Sequence, residues 1–309
     1  MLNQIEIKGL GVSLPKQSVT FKSGTRYRIS GRENHLQLLV ESAQDALKKS
    51  GMKLDEIDAI VGACAVGLQP IPCTAALVHE QLSPKRHIPA FDINSTCTSF
   101  ISAVDIVSSQ IASGKYKNVL IVAGDVPSIA LNAEDKHSYE LFGDGAVSTI
   151  LSSSQYGKIL YSNQLTYSKG AHMTQIAGGG TSLPSYHIND NNRPLYQFHM
   201  EGRKVLKLSF DLIDEMMRNV TKDSGIKLDE IDMIIPHQAS PALGLVMKKL
   251  GIEKDKYIDI VSEYGNMVSA SVPFALHYAI QKERIKRGDK VLLIGTAAGL
   301  TTNALLLEY

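Results

Sequence analysis

"GMKLDEIDAIVGA" (residues 51–63) returns as "GIKLDEIDMIIPH" (225–237), 174 positions later. A second pair, "KNVLIVAGD" (117–125) and "DKVLLIGTA" (289–297), agrees at an offset of 172. Two matches at nearly one spacing predict a duplicated unit. Each copy reads as helix, acidic turn, apolar strand, helix of small residues, then a second apolar strand. "AIVGACAV", "NVLIVAG", "MIIPH" and "KVLLIGTAA" are apolar at almost every position, as strands buried on both faces are. The helical stretches "HLQLLVESAQDALKKSG" and "GRKVLKLSFDLIDEMMRNVTKDSG" end on Gly51 and Gly225, where a C-terminal cap belongs. The expectation is an α/β fold of two pseudo-equivalent halves, 1–158 and 159–309, joined near 155–170, with helices and sheets alternating in five layers.

Composition narrows the function classes. With 44% hydrophobic and 20% charged residues, the 309-residue chain is neither disordered nor fibrous. A formal net charge of +1, and no long basic block beyond "KERIKRG" (282–288), make nucleic acid or an anionic membrane an unexpected partner. The three cysteines, Cys64, Cys73 and Cys97, form neither a CxxC pair nor a Cys/His set at zinc spacing, so no metal is expected. The start, "MLNQIEIKGLGVSLP", lacks the basic-then-apolar order of a signal peptide, and no apolar run approaches the roughly 20 residues of a membrane span. The chain reads as reduced and cytoplasmic.

Chemistry gathers at strand ends. "FDINSTCTSF" (91–100) sets Cys97 between a short apolar strand and a helix. At the 172 offset its counterpart is Ser269, in "EYGNMVSASVPFALHYAI" (263–280), with Asn266 three residues earlier. "MIIPHQASPALGLVMKKLG" (233–251) places His237 at the end of another strand. Ligands of open α/β sheets collect at such carboxyl ends. A thiol at a helix N-terminus meets free N–H groups that favour the thiolate, and a nearby imidazolium would favour it further. Small neighbours (Ser95, Thr96, Thr98, Ser99) would let a thioester carbonyl approach, which suits an acyl acceptor. Neutral imidazole and a carboxamide can both donate to one oxygen, as an enolate left by decarboxylation requires. Taken singly, each residue has a plain structural alternative: a small buried hydrophobe for Cys97, a turn residue for His237 or Asn266. Cys64 and Cys73 read as packing residues, His79 and His199 as core or surface residues. "IAGGGTSLP" (176–184) lacks the Lys-Ser/Thr of a phosphate loop, and "NDNNRP" (189–194) lacks the carboxylates of a calcium loop.

"PAFDINSTCTSF" (89–100), "LFGDGA" (141–146), "FHMEGRKV" (198–205), "IIPHQAS" (234–240), "YGNMVSASVPFAL" (264–276) and "GTAAGLTTNALLLEY" (295–309), in this order, carry a resemblance over essentially the whole chain. They are similar to the thiolase-fold condensing enzymes, above all to the 3-oxoacyl-[acyl-carrier-protein] synthase III family. The resemblance implies a thiolase-like five-layered αβαβα fold and a homodimer. It also implies decarboxylative Claisen condensation of an acyl primer with a malonyl thioester, in fatty acid or related secondary-metabolite synthesis. Cys97 would be the acyl-accepting nucleophile, and His237 and Asn266 the decarboxylation pair. The N–H groups of Cys97 and Ala298 would form an oxyanion hole; Phe142, Met200 and Ile71 would border the substrate pocket. No cofactor is implied, coenzyme A or phosphopantetheine entering as part of the acyl-CoA or acyl carrier protein substrates.

Departures concern substrate more than reaction. The family's tryptophan–arginine grip on the coenzyme A adenine has no counterpart, since the chain has no Trp and the region reads "FKSGTRYRISGREN" (21–34). Ser240, Pro241 and Ala242 stand where an Asn, an apolar residue and a carrier-docking Arg are usual. Thr296-Ala297-Ala298-Gly299 replaces a glycine run, and Ile71 stands where some relatives carry a bulkier residue reaching into the partner's acyl pocket, which would allow a longer or branched primer. Two alternatives remain: acyl transfer to an alcohol or amine on the same fold, or a non-catalytic partner subunit of a related synthase.

Overall fold

The computed structural model describes residues 4–309, so the first three positions of the expected N-terminal half lie outside the described residues. The strands are β1 (Gln4–Ser13), β2 (Gln17–Phe21), β3 (Gly24–Arg28), β4 (Ala59–Gly62), β5 (Ala90–Asp92), β6 (Asn118–Asp125), β7 (Gly145–Thr166), β8 (Thr174–Gln175), β9 (His199–Met200), β10 (Met233–Pro236), β11 (Lys290–Ala297) and β12 (Thr301–Glu308). The helices are α1 (His35–Ser50), α2 (Thr74–Leu82), α3 (Ser99–Ala112), α4 (Lys136–Tyr139), α5 (Gly202–Ser224), α6 (Leu243–Lys249), α7 (Val261–Tyr264) and α8 (Ser271–Gln281).

The repeated sequence performs one job twice. Gly51 and Gly225 end α1 and α5 at φ 70° and 72°, left-handed values that glycine adopts without penalty. The following acidic turns close on themselves: the Lys53 amide donates to Glu56 Oε2 at 2.8 Å, and the Lys227 amide to Glu230 Oε2 at 2.9 Å. Asp58 then accepts from the Lys117 and Asn118 amides at the start of β6, and Asp232 from the Lys290 amide at the start of β11. Each "LDEID" thus turns the chain into a strand and fastens it to its parallel neighbour.

Among the described residues, eight strands share one sheet in the order β10-β11-β12-β7-β6-β4-β5, with β1 also paired to β7. The 22-residue β7 is the hinge between the halves: residues 145–152 pair with β6, and 158–166 with β12. The expected junction at 158 therefore falls inside a continuous strand rather than in a linker.

Period-two alternation sorts the side chains of these strands into three cores. Val119, Ile121, Val291, Leu293 and Leu305 face a central core with α3 and α8. Leu120 and Val122 face α1 and α2 on one side, whereas Leu292, Ile294 and Leu306 face α5 and α6 on the other. Three apolar cores, the central one meeting strands of both halves, make the five layers expected from the duplication. They also explain the unbroken apolar runs, because neither face of these strands meets water.

Candidate active site

The two joints that the offset pairs are built alike. Thr96 and Val268 sit at φ 53° and 52°, within the short 3-10 turns Thr96–Thr98 and Val268–Ala270 that lead into α3 and α8. Both turns are stapled by a serine hydroxyl: Ser99 Oγ accepts the Ser95 amide at 3.0 Å, and Ser271 Oγ the Met267 amide at 2.9 Å. A non-glycine residue at positive φ costs energy, and a doubled device of this kind marks a position where a side chain must be aimed. In the first half the aimed residue is Cys97. In the second, Ser269 donates its hydroxyl to Asp125 at 2.6 Å.

Cys97, His237, Asn266, Phe142, Met200 and Ala298 all line one cavity of about 780 Å³ at the carboxyl ends of the strands. Ile71 does not; it lies on the loop before α2, 84% exposed. Of the residues set aside, Cys64 and Cys73 are free and pack in the α1/α2 core, and His199 is exposed. Ile176 of the glycine-rich loop borders the cavity.

The amides of Cys97 and Ala298 both bear on the Cys97 sulfur, and the Thr96 hydroxyl donates to the Ala298 carbonyl at 3.4 Å, holding the two segments together. Cys97 is only half-buried by surface exposure. Burial, reinforced by the Asp125 carboxylate, pushes the thiol up to about 12 against the pull of the two amides. His237, 5% exposed, is lowered to about 4 by burial. Against the expectation of a stabilised thiolate beside an imidazolium, desolvation pushes the thiol up and the imidazole down, opposing the helix N-terminus. Alkylation of Cys97 by iodoacetamide should accordingly rise about tenfold per pH unit from about pH 7 to 10, with no plateau near neutrality. A plateau below pH 8 in the labelling rate would contradict this.

His237 follows Pro236 at the end of β10, its amide donating to Ile294 O at 2.8 Å. Gly295 makes room for it: a Cβ there would lie 2.9 Å from Thr98 Cγ2 and 3.1 Å from His237 Cβ. The Nδ1 atom is buried without a partner. In the unfolded chain the imidazole titrates near 6.5, but in the native site only near 4. Between these values the unfolded state binds more protons, so stability falls as pH drops through this window. The loss from this residue should be roughly 2–3 kcal/mol between about pH 7.5 and 4.5. Denaturant unfolding at both pH values should show a smaller loss in His237→Gln; an equal loss in the variant would refute the assignment.

Asn266 is fixed on three sides. Its Oδ1 accepts the Val268 amide at 2.8 Å and the Ser271 hydroxyl at 3.4 Å, and its Nδ2 donates to Ala239 O at 3.3 Å. The oxygen being engaged by donors, the amide nitrogen is the atom with a hydrogen to spare. Backbone bonds from Asn266 N to Leu141 O (3.0 Å) and from Gly143 N to Asn266 O (3.1 Å) bind this segment to the "LFGDGA" loop. That loop presents Phe142, edge-on to Phe198 with ring centroids 4.9 Å apart.

Several supporting residues escaped the sequence reading. Asp125, at the end of β6, accepts hydrogen bonds from the amides of Ala65, Val66 and Ser269 as well as the Ser269 hydroxyl. Burial raises its carboxyl, while His35 and these donors oppose the rise. It joins the loop after β4 to the second-half turn that carries Asn266. Its place at a strand end was the available signal. Arg26, fully buried, donates to Glu140 O at 2.8 Å and props the Phe142 loop. Arg28 lies over the rings of Phe21 and Tyr139, 5.0 and 4.2 Å from their centroids, and donates to Tyr139 O. Arg26 and Arg28 of "FKSGTRYRISGREN" are thus committed to contacts within the protein, whereas Arg32 is exposed. Among the described residues, no group of three or more His, Cys, Asp or Glu could hold a metal ion, and no helix is long and apolar enough to cross a membrane.

The chain is similar to known proteins in sequence and in fold. Residues 91–168 match the model of 3-oxoacyl-[acyl-carrier-protein (ACP)] synthase III, and 221–309 that of its C-terminal region. The beta-ketoacyl-[acyl-carrier-protein] synthase III of Aquifex aeolicus is 33% identical over 322 residues, spanning 98% of this chain and 99% of that protein. The enzyme of the same name from Clostridium perfringens is 35% identical, over 92% of this chain and 87% of its own. The crystal structure of the Aquifex aeolicus synthase superimposes with a TM-score of 0.87 at 31% identity, over 99% of this chain and 100% of that one. OleA of Xanthomonas campestris shares the fold, with a TM-score of 0.87 at 19% identity, over 100% of this chain and 99% of its own. With the duplicated layers, the paired turns and these matches in agreement, the chain belongs to the 3-oxoacyl-[acyl-carrier-protein] synthase III family.

Proposed function

We propose that this chain condenses an acyl thioester with a malonyl thioester through an acyl group held on Cys97. The observation that carries this is the convergence, in one cavity, of a half-buried thiol under two amides, a buried imidazole and an oriented carboxamide. In the first step the Cys97 sulfur attacks the primer carbonyl, whose oxygen takes the Cys97 and Ala298 N–H groups. The bond to the carrier sulfur breaks, and the carrier leaves as its thiol with the proton Cys97 gives up.

In the second step His237, with its hydrogen on Nε2, and Asn266 Nδ2 donate to the malonyl thioester oxygen. The bond to the carboxylate breaks, carbon dioxide leaves, and its electron pair becomes an enolate stabilised by the two donors. The enolate carbon attacks the acyl carbon, the carbon–sulfur bond to Cys97 breaks, and the thiol regains a proton. A neutral His237 suits this role, because a hydrogen-bond donor is needed and not a resident cation.

The reading assigns the nucleophile to residues 1–158 and the decarboxylation pair to 159–309, with acyl-coenzyme A or acyl carrier protein as donors. A homodimer in the cytoplasm belongs to the same reading, supported by family membership, as does a site complete without a bound cofactor. The test is intact-protein mass spectrometry after incubation with a panel of acyl donors, followed by malonyl thioester and detection of carbon dioxide. An acyl adduct on Cys97 that disappears with release of carbon dioxide supports condensation. Discharge of the adduct to an alcohol or amine without carbon dioxide would replace it with simple acyl transfer.

A further inference from the structure

The cavity is larger than a two-carbon acyl group needs. About 780 Å³ lies in the upper part of the roughly 300–1,000 Å³ range of pockets that enclose whole small molecules. Its lining divides in two. Val66, Ile129, Ile176 and Leu206 form an exposed rim, through which a carrier arm can enter. Beyond the catalytic residues, another part runs inward between α5 and α6, where Ser209, Met216, Leu243, Val246 and Met247 are all buried. A carrier arm that must stay joined to something outside does not need this buried part.

The shape of this inner arm follows from the helices. Ser209, Ile213 and Met216 recur at helical spacing on one stripe of α5, while Leu212, Met217 and Val220 are buried beside them. From Val205 to Met216, at about 1.5 Å per residue, the stripe follows α5 for ~16 Å. Ser209 is the small residue of that stripe. Its hydroxyl is buried without a partner, and its size leaves open the space a leucine would fill. Met216 and Met247 near the inner end are unbranched and yield to a ligand of variable length.

We propose that this arm holds the hydrocarbon tail of the acyl group on Cys97, a linear saturated chain of about ten carbons. The inference rests on Cys97 as the acyl acceptor. With bonds of about 1.5 Å, a zigzag chain advances about 1.25 Å per carbon, so ten carbons reach along most of the stripe. Each methylene buried there tightens binding about fourfold until the arm is full.

The experiment offers the wild-type protein an equimolar series of straight-chain donors from two to fourteen carbons, as coenzyme A and as carrier-protein thioesters, and reads the adducts on Cys97 by intact mass. Adducts of eight to twelve carbons should exceed the two-carbon adduct at least tenfold. Ser209→Phe and Val246→Phe, which fill the arm from opposite walls, should each lower the ratio of ten-carbon to four-carbon acylation at least tenfold. A wild-type preference for two to four carbons would overturn the inference while leaving Cys97 as the acyl acceptor. An unchanged ratio in both folded variants would overturn it too. No adduct with any donor would overturn this inference and the proposed condensation together.

Discussion

Cys97→Ser is expected to abolish acyl-enzyme formation and to lower overall condensation by about four orders of magnitude or more. The substitution changes one atom, and the amides of Cys97 and Ala298 keep their places because the Thr96 turn is held by backbone and by Ser99. What is lost is the nucleophile. A serine hydroxyl has a far higher pKa than a thiol, and His237, at about 4, is too weak a base to take its proton. Intact mass after exposure to donors measures the first consequence, and product formation the second. A serine variant that retained a stable acyl adduct would move the nucleophile elsewhere. Equal melting temperatures of the two proteins would exclude misfolding as the cause.

Asn266→Ala should separate the two half-reactions. Acylation of Cys97 should stay within about threefold of wild type, while decarboxylation of the malonyl thioester falls about 10²- to 10³-fold, the usual effect of removing one donor from an oxyanion site. The variant has a structural cost as well, because the Val268 amide and the Ser271 hydroxyl lose their acceptor, worth about 1–3 kcal/mol. Asn266→Asp addresses that cost: it keeps an oxygen for Val268 and replaces the donating nitrogen by a second acceptor. Decarboxylation should fall at least as far in this variant, with less loss of stability. Equal loss of acylation and decarboxylation in both variants would sink the division of labour between Cys97 and the His237–Asn266 pair. The route from Asp125 through Ser269 to the Asn266 turn makes the orientation of the carboxamide a property of both halves of the chain.

The three proposed catalytic residues were legible in the sequence for a local reason. Cys97 and His237 follow short apolar runs, and the 172-residue offset sets Cys97 and the Asn266 turn at equivalent joints, although Asn266 itself follows the short helix α7 and not a strand. A strand end, a turn and a helix start are encoded within about ten residues, so their order survives without knowledge of what packs against them. Asp125 was written in the same way, at the end of "KNVLIVAGD", but no local feature distinguishes a carboxylate facing solvent from one that gathers the loops of two half-domains. Ile71, whose position was compared with residues that reach into a partner's acyl pocket, stands exposed and away from the cavity of its own chain.

The duplication, the alternation of helix and strand, the acidic turns that launch β4 and β10, and the placing of Cys97 and His237 after strands β5 and β10 were determined by the sequence alone, because periodicity, capping and turn chemistry act over short separations, whereas Asn266, expected at a strand end, follows the short helix α7. Tertiary structure alone decided that β7 runs through both halves and that Asp125 spans them. It likewise decided the upward push of burial on the Cys97 thiol, its downward push on the His237 imidazole and the depth of the arm between α5 and α6. These depend on burial and on groups that come together from distant parts of the chain. Desolvation and enclosed space arise only once the layers have closed.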